Sequence, residues 1–243
     1  MSCVVRRSWL AVWLVMAGVG MTVAWAGEKQ GPTGTVNRDS KAPVLPKYHV
    51  SPGLGKARTS LFGIVGEGYK FVYVFDRSGS MGGSGRNALR AVKAEFLASL
   101  DSLDTVHQFQ IVFYNEKPVL FNPSGTPGRL AFANEQNKDR ARRFIETIVP
   151  DGGTEHEDAL RLAIKMRPDV IYFLTDADEP QLSRRQLNSI QRLAAGITIH
   201  AIEFGPGLKP AGKSFLAVLA EENGGQYTYV DISKSTPASD EGQ

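Results

Sequence analysis

The sequence lacks a cysteine framework, since its 243 residues include one cysteine, Cys3, close to the amino terminus. A disulfide-stabilised fold is therefore excluded, and so is thiol catalysis in a chain from which the first residues are removed. The chain also lacks a strong charge of either sign, with 28 Lys and Arg against 25 Asp and Glu. This balance argues against a nucleic-acid partner. The basic group Arg140, Arg142 and Arg143 has helical spacing and is interpreted as a solvated helix face.

Long apolar runs are scarce, and the longest lies at the amino terminus. Arg6 and Arg7 precede an uncharged run of 18 residues, from Trp9 to Ala26, that closes on Ala-Trp-Ala. This pattern predicts a secretory signal peptide over residues 1–26 and hence an exported protein, periplasmic or extracellular. The run also reaches the lower limit for crossing a bilayer as a helix. An uncleaved membrane anchor is therefore the alternative, and the only membrane contact that the sequence indicates.

The remaining sequence divides into one domain with a tail at each end. Residues 27–59 are rich in Gly, Pro, Ser and Lys and predict a flexible linker, and residues 233–243 predict a disordered tail. Residues 60–232 alternate short apolar runs with helical patterns. This alternation predicts an α/β fold, a three-layer doubly wound sandwich around a mostly parallel central sheet.

Six apolar runs in this domain predict strands, at 71–75, 109–114, 119–121, 170–174, 197–204 and 227–231. Their continuous apolar character indicates burial on both faces of the sheet. The short run 119–121 follows a proline and is expected to return antiparallel as an edge strand, and residues 62–65 are a further candidate for an edge strand. Apolar residues at helical spacing predict five helices, around 89–100, 141–148, 159–164, 187–193 and 215–219.

Side chains that carry oxygen follow the ends of the predicted strands. Asp76, Ser78 and Ser80 leave the first parallel strand in a loop rich in glycine, and Asp176 ends the strand that begins at Val170. Taken alone, each has a simpler explanation as part of a polar turn. Ligands nevertheless collect at the carboxyl ends of the strands in sheets of this kind.

Thr154 follows two glycines at the start of a predicted helix. Its simpler explanation is an N-cap, with Glu157 completing a capping box. With Asp76, Ser78, Ser80 and Asp176, however, it gives two carboxylates and three hydroxyls without histidine or cysteine. Such oxygen donors predict a site for a hard cation, with Mg²⁺ expected and Mn²⁺ or Ca²⁺ as alternatives, and they do not favour zinc or copper.

The segment from Phe75 to Met81 resembles the metal-ion-dependent adhesion site motif of von Willebrand factor type A (VWA) domains. The turn ending in Thr154 and the strand end Leu-Thr-Asp176 are similar to the second and third motif segments of that family. The resemblance extends from about residue 70 to 232. One departure is Ala177, where many members have glycine, and it bears on the shape of the turn after the strand.

The resemblance implies a protein-binding module without enzymatic activity. It implies that Ser78, Ser80 and Thr154 ligate the metal through their hydroxyl oxygens, while Asp76 and Asp176 act partly through water. Because neutral hydroxyls leave much of the cation's charge unneutralised, the metal is expected to accept an Asp or Glu carboxylate from a protein partner. A structural VWA domain with a vestigial site is the alternative.

A competing motif lies at residues 207–214, where the sequence satisfies the phosphate-loop pattern G-x-x-x-x-G-K-[ST]. Nucleotide binding by Lys213 and its neighbours is therefore a further alternative. Against it, only 29 residues follow Ser214, too few for the strands that a nucleotide hydrolase places downstream. Pro210 also removes one of the backbone N–H donors that would bind phosphate.

Other catalytic patterns are incomplete. The segment 82–86 nearly forms a serine-hydrolase elbow but has Arg86 in place of the last glycine, and Ser78 occupies the position where a phosphoaspartyl enzyme needs a second aspartate. His156 is expected to be exposed in the first turn of its helix rather than catalytic. The remaining histidines show no clustering and are interpreted as structural or facing solvent; they are His49, His107 and His200.

Overall fold

The computed structural model describes residues 55–82, 88–177 and 180–234. The predicted signal peptide or anchor, nearly all of the predicted linker and the tail from residue 235 lie outside these ranges, as does His49. None of the helices within the ranges has the length and apolar character needed to span a bilayer.

Nine strands and five α-helices alternate along the described residues. The strands are β1 (Ala57–Leu61), β2 (Ile64–Gly68), β3 (Lys70–Asp76), β4 (Gln108–Tyr114), β5 (Val119–Leu120), β6 (Ala131–Phe132), β7 (Val170–Thr175), β8 (Thr198–Gly205) and β9 (Tyr227–Asp231). The helices are α1 (Ala88–Asp101), α2 (Glu135–Glu146), α3 (His156–Lys165), α4 (Arg184–Leu193) and α5 (Phe215–Glu222). The six main predicted strands and all five helices are confirmed, although α2 begins at Glu135, well before the predicted position 141, and β6 is not among the predicted strands.

The central sheet has the order β5-β4-β3-β7-β8-β9, with β6 also pairing with β4. Strands β4, β3, β7, β8 and β9 pair in parallel, whereas β5 and β6 run antiparallel to β4. The mostly parallel sheet with a short antiparallel edge strand is thus confirmed. Because β4 and β7 lie on opposite sides of β3, the strand order reverses between β3 and β7, which is where ligands bind in doubly wound sheets.

Both faces of the sheet are covered, which gives the predicted three layers. In β3, Phe71, Tyr73 and Phe75 pack into one apolar cluster with residues of α1 and α2. The alternate residues Val72 and Val74 pack into a second cluster with residues of α3, α4 and α5. Since a strand turns successive side chains to opposite faces, the apolar run of β3 is buried on both sides.

The amino-terminal boundary of the domain differs from the prediction. Residues 57–59 were assigned to the linker, yet they belong to β1, where Ala57, Thr59 and Leu61 are buried in alternation. The strand predicted at 62–65 is confirmed only in its second half, because Ile64 and Val65 open β2. Phe62 and Gly63, both with positive φ, form the turn of a separate β1–β2 hairpin. Buried and exposed residues alternate in both strands of this hairpin. The alternation is hard to recognise in the sequence because the glycine, serine and threonine residues resemble those of a linker.

The carboxyl-terminal boundary differs by two residues. A short 3₁₀ helix spans Ile232–Lys234, and the hydroxyl of Ser233 donates a hydrogen bond to Asp231 Oδ1 over 2.6 Å. The domain therefore continues past residue 232.

His107 and His200 are both buried, so of the two predicted roles they have the structural one and do not face solvent. In each, Nδ1 accepts a hydrogen bond from a backbone N–H, that of Asp104 for His107 and that of Gln226 for His200. Burial lowers the pKa of His200 to about 4.

Candidate metal centre

The first predicted segment of the site folds into a tight loop at the end of β3. The Asp76 side chain is fully buried, and its Oδ1 accepts a hydrogen bond from the backbone N–H of Ser78 over 2.7 Å. The hydroxyls of Ser78 and Ser80 share a hydrogen bond of 3.1 Å. The 3₁₀ helix Gly79–Gly82 follows. The three predicted side chains therefore converge at the carboxyl end of one strand.

The second predicted segment, residues 151–154, is hydrogen-bonded to this loop. Gly79 N–H donates to the Gly152 carbonyl over 3.0 Å, and Asp151 N–H donates to the Arg77 carbonyl over 2.8 Å. Gly152 has a φ of +73°, and a Cβ there would lie 2.8 Å from Asn115 Nδ2. Only glycine meets both conditions without strain. Thr154 is thus carried on a segment whose backbone is fixed against the first loop.

Two residues that the sequence analysis did not single out hold the second segment in place. Asn115 Nδ2 donates to the Asp151 carbonyl over 2.8 Å, and Glu116 Oε1 accepts from Gly153 N–H over 3.2 Å. Both follow β4 directly. A polar pair after an apolar strand was the available signal, and it was overlooked because neither residue belongs to the motif.

The third predicted segment joins the first through a hydroxyl. Thr175, the last residue of β7, donates to Asp76 Oδ2 over 2.6 Å, and both carboxylate oxygens of the neighbouring Asp176 are buried. Thr175 was also missed, although it is the one polar residue of an otherwise apolar strand. This hydrogen bond links the ends of β3 and β7 at the point where the strand order reverses.

Ala177, the departure from the usual glycine, adopts the left-handed conformation with a φ of +58°. Its N–H donates to Thr175 Oγ1 over 3.1 Å. The turn therefore forms with alanine, at a conformational cost of about 1 kcal/mol relative to glycine.

The simpler explanation of Thr154 does not hold. The N-cap of α3 is Glu155 rather than Thr154, and that cap has no side-chain hydrogen bond to the helix. Glu157, expected to complete a capping box, instead accepts hydrogen bonds from Arg161 and Gln186. The Thr154 side chain is nevertheless buried, with an exposed fraction of 8%. N-capping is therefore not the reason for a threonine at this position.

The electrostatics of this sheet edge are those of two acids placed close together. Burial raises the pKa of Asp76 from 3.8 to about 6; hydrogen bonds from Thr175 and Ser78 oppose this rise, and the charge of Asp176 adds to it. Across residues 55–82, 88–177 and 180–234, no three His, Cys, Asp or Glu side chains are grouped to hold a metal ion. A cation here would therefore depend on the hydroxyls, and this donor set fits a hard divalent ion.

Because the pKa of Asp76 is raised, we expect the free energy of unfolding, measured in EDTA, to fall as the pH rises. The folded chain holds this proton more tightly than the unfolded chain. The contribution of Asp76 is therefore fully present below pH 3.8 and is lost as the pH rises through about 6, a loss of about 3 kcal/mol. Urea unfolding in EDTA at several pH values measures it, and Asp76→Asn should lack this component.

His200 titrates in the same window with the opposite sign, because its pKa is lowered to about 4. It is present in both proteins of that comparison, so its effect cancels when the two pH profiles are subtracted. If the wild type and Asp76→Asn show the same pH dependence, the burial of an ionisable Asp76 does not control stability.

His156 is almost fully buried, with an exposed fraction of 1%, so the expectation of an exposed first-turn histidine is wrong. Its Nδ1 shares a hydrogen bond of 2.9 Å with the Tyr114 hydroxyl, and its ring packs against Phe173 and Phe215. The signal was present in the spacing, because His156 precedes the buried positions 159, 160 and 163 by three, four and seven residues.

The competing motif at 207–214 has contacts that differ from those of a phosphate loop. Lys213 Nζ contacts the carboxylate of Glu221, so the side chain extends along α5 rather than back across the loop. Ser214 caps α5 by accepting from Leu216 N–H over 3.2 Å. Gly207 N–H donates to Asp231 Oδ1 over 2.8 Å. Most of the incomplete hydrolase elbow at 82–86 lies outside the described residues.

The sequence profile of the von Willebrand factor type A domain matches residues 70–229. The chain therefore belongs to the VWA family, and the resemblance drawn from its motifs is confirmed at the level of the domain.

Curated relatives include the inter-alpha-trypsin inhibitor heavy chains. Heavy chain H4 of Homo sapiens is 28% identical over 172 residues, which is 63% of this chain and 17% of the relative. Heavy chain H2 of Mesocricetus auratus is 30% identical over 172 residues, again 63% of this chain and 17% of the relative. This chain thus matches about one sixth of the length of these proteins.

Similar solved structures include a von Willebrand factor type A protein from Catenulispora acidiphila. It superposes with a TM-score of 0.58 at 20% identity, over 71% of this chain and 42% of that chain. Proximal thread matrix protein 1 from the mussel byssus, in a structure with zinc occupying its MIDAS motif, gives a TM-score of 0.50 at 17% identity. That match covers 74% of this chain and 47% of the mussel chain. At these identities the likeness establishes the fold.

Proposed function

We propose that this VWA domain is a binding module that engages a protein partner through a divalent cation held by Asp76, Ser78, Ser80, Thr154 and Asp176. One observation carries the proposal: the hydrogen bond from Thr175 to Asp76 joins the ends of β3 and β7. The backbone bond from Gly79 to Gly152 brings the second motif segment, residues 151–154, to the same edge. Three segments that are distant in sequence thereby meet where doubly wound sheets bind ligands.

The role of each residue follows from its contacts. Both Asp76 oxygens accept hydrogen bonds, from Ser78 N–H and from Thr175, so this carboxylate is fixed in orientation and is suited to hold ligating water. Ser78, Ser80 and Thr154 would supply neutral hydroxyl oxygens. When bound, the cation supplies a positive charge, only partly neutralised by these donors, to which an Asp or Glu carboxylate of the partner binds.

The cation we propose is Mg²⁺, with Mn²⁺ or Ca²⁺ as alternatives. The site offers two carboxylates, whereas tight calcium sites recruit more carboxylate oxygens. Zinc occupies the MIDAS motif of the mussel protein, so a metal titration should include it although a set of oxygen donors does not favour it.

We propose binding without catalysis. His156 is the histidine closest in sequence to the motif residues. It is buried, with an exposed fraction of 1%, and therefore cannot reach a substrate. The contacts of Lys213 and Ser214 likewise disfavour the nucleotide-binding alternative. Export, with residues 1–26 as a cleaved signal or an anchor, is part of the same proposal because it would place the module where adhesive contacts form.

The proposal is tested by affinity capture with the purified chain as bait, in Mg²⁺ and in EDTA. The wild type should retain a partner from native extract in Mg²⁺ and release it in EDTA, whereas Asp176→Ala should retain none in either buffer. Asp104→Ala is the matched control, because Asp104 is exposed and precedes β4, at the opposite edge of the sheet. Capture that is equal in both buffers would contradict a metal-dependent contact.

A further inference from the structure

A cavity of about 370 Å³ opens beside Asp176, between the end of β7 and the loop of residues 206–214. We call it the lysine cleft and define it by five of its lining residues, Asp176, Glu203, Lys209, Lys213 and Tyr227. It is lined in part by the glycine- and lysine-rich segment that satisfies the phosphate-loop pattern. The segment of residues 207–214 has no role in the proposed metal centre. The cleft that it lines nevertheless includes Asp176, which belongs to that centre.

Lys209 is positioned in the cleft although it is exposed. Its Nζ lies 4.4 Å from the centroid of the Tyr227 ring, and the Tyr227 hydroxyl in turn donates to Glu203 Oε2 over 2.9 Å. A cation over an aromatic face is attracted by the negative face of the ring, and this attraction persists at an exposed position. The ammonium group of Lys209 is thus oriented before any partner arrives.

Lys213 is available to a partner for a different reason. Its ion pair with Glu221 joins two largely exposed side chains, with exposed fractions of 58% and 68%. Ion pairs of this kind add little to stability, so the lysine can exchange Glu221 for another carboxylate at small cost.

The charges of the cleft select its occupant. The lining contains two carboxylates, those of Asp176 and Glu203, and two lysines, so the charges of these four lining residues balance. Glu203 is buried with an exposed fraction of 7% and accepts the hydrogen bond of Tyr227, and Asp176 belongs to the proposed metal centre. With a divalent cation beside Asp176, the surface that remains for a partner is positive, and it fits a carboxylate.

We propose that the lysine cleft receives a second acidic side chain of the same partner segment whose first acidic side chain binds at the metal centre. This inference rests on the proposed function and specifies its partner, a segment with two acidic residues close together. Lys209 and Lys213 are then specificity-determining residues, and the loop of residues 206–214 is part of the binding surface.

The test uses blocked synthetic peptides titrated into the full ¹⁵N-labelled chain in Mg²⁺, with affinities taken from amide chemical shifts. One peptide carries a single Glu among glycines and serines, and the others carry two Glu separated by glycine spacers of different lengths. At the best spacing, the second Glu should tighten binding by roughly fivefold to tenfold, the effect of one charge-assisted contact at a partly exposed site. In EDTA none of these peptides should bind.

Lys209→Gln combined with Lys213→Gln should remove the gain from the second Glu, so that the single-Glu and two-Glu peptides bind this variant with equal affinity. Both lysines are exposed, so these changes leave the fold intact. Lys165→Gln removes one lysine charge at the end of α3, at the opposite edge of the sheet, and should keep the gain. A gain that survives the double substitution overturns the inference.

The remaining outcomes separate the two proposals. If the single-Glu peptide binds only in Mg²⁺ but no spacing of the second Glu adds affinity, the lysine cleft is not a subsite and the proposed function stands. If neither peptide shows binding that depends on Mg²⁺, the proposed function fails and the inference fails with it.

Discussion

Asp76→Ala is expected to bind no Mg²⁺ and to lose all thermal stabilisation by the ion. The wild type should gain about 2.7 kcal/mol in the free energy of unfolding when free Mg²⁺ exceeds its dissociation constant a hundredfold. Asp76 accepts hydrogen bonds from the first and third motif segments, so its removal deprives the site of a carboxylate and of the link between β3 and β7. Calorimetric titration and thermal unfolding, each in Mg²⁺ and in EDTA, measure the two effects.

The variant should still fold. At neutral pH, loss of a buried carboxylate removes its desolvation penalty, and this offsets the cost of leaving the Ser78 N–H and the Thr175 hydroxyl without their acceptor. Asp104→Ala, at the opposite edge, should keep the full response to Mg²⁺. A wild type whose stability ignores Mg²⁺ would instead support a vestigial site, and an Asp76→Ala variant that still responds would show that the ion binds elsewhere.

The fold could be predicted well from the sequence because strands in the middle of the sheet, above all β3 and β7, are apolar on both faces. In β3, every residue from Phe71 to Asp76 is buried, so the strand is visible as an unbroken apolar run. Strands β1 and β2 could not be predicted in the same way. Each is only five residues long, and together they contain two glycines, two hydroxyl residues and two charged residues. A hairpin of this composition differs little from a linker until its packing against α1 is known.

The positions of the candidate residues in the fold could be predicted, but the contacts between them could not. Strand ends and glycine turns mark Asp76, Ser78, Ser80, Thr154 and Asp176, which remain predicted metal ligands. The residues that fix them were not found, because the roles of Thr175 and Asn115 depend on which strands are neighbours. The helical spacing of His156 indicates that it is buried. It was nevertheless interpreted as exposed, because it follows Thr154 closely and lies in the first turn of its helix.

Gly225→Ala is expected to be strongly destabilising, because the chain after α5 crosses β8 in direct backbone contact. A Cβ on Gly225 would lie 1.9 Å from the Ile199 carbonyl oxygen and 2.5 Å from its carbon. Neither atom can move away easily, since Ile199 lies in β8, which pairs with β7 on its other side. We expect a loss of about 3 kcal/mol in the free energy of unfolding, measured by urea titration.

Gly224→Ala is the matched control in the same turn. Gly224 has a φ of +66°, but nothing lies within 4 Å of a Cβ built there, so this change should cost only about 1 kcal/mol of backbone strain. Equal effects at the two positions would mean that a small shift of the backbone relieves the clash with β8 and that Gly225 is not required there. The difference bears on binding as well, because the Gly225 crossing starts β9 and so positions Tyr227, on whose ring Lys209 lies. Any Gly225→Ala protein that still folds should therefore lose the gain from a second Glu while keeping its response to Mg²⁺.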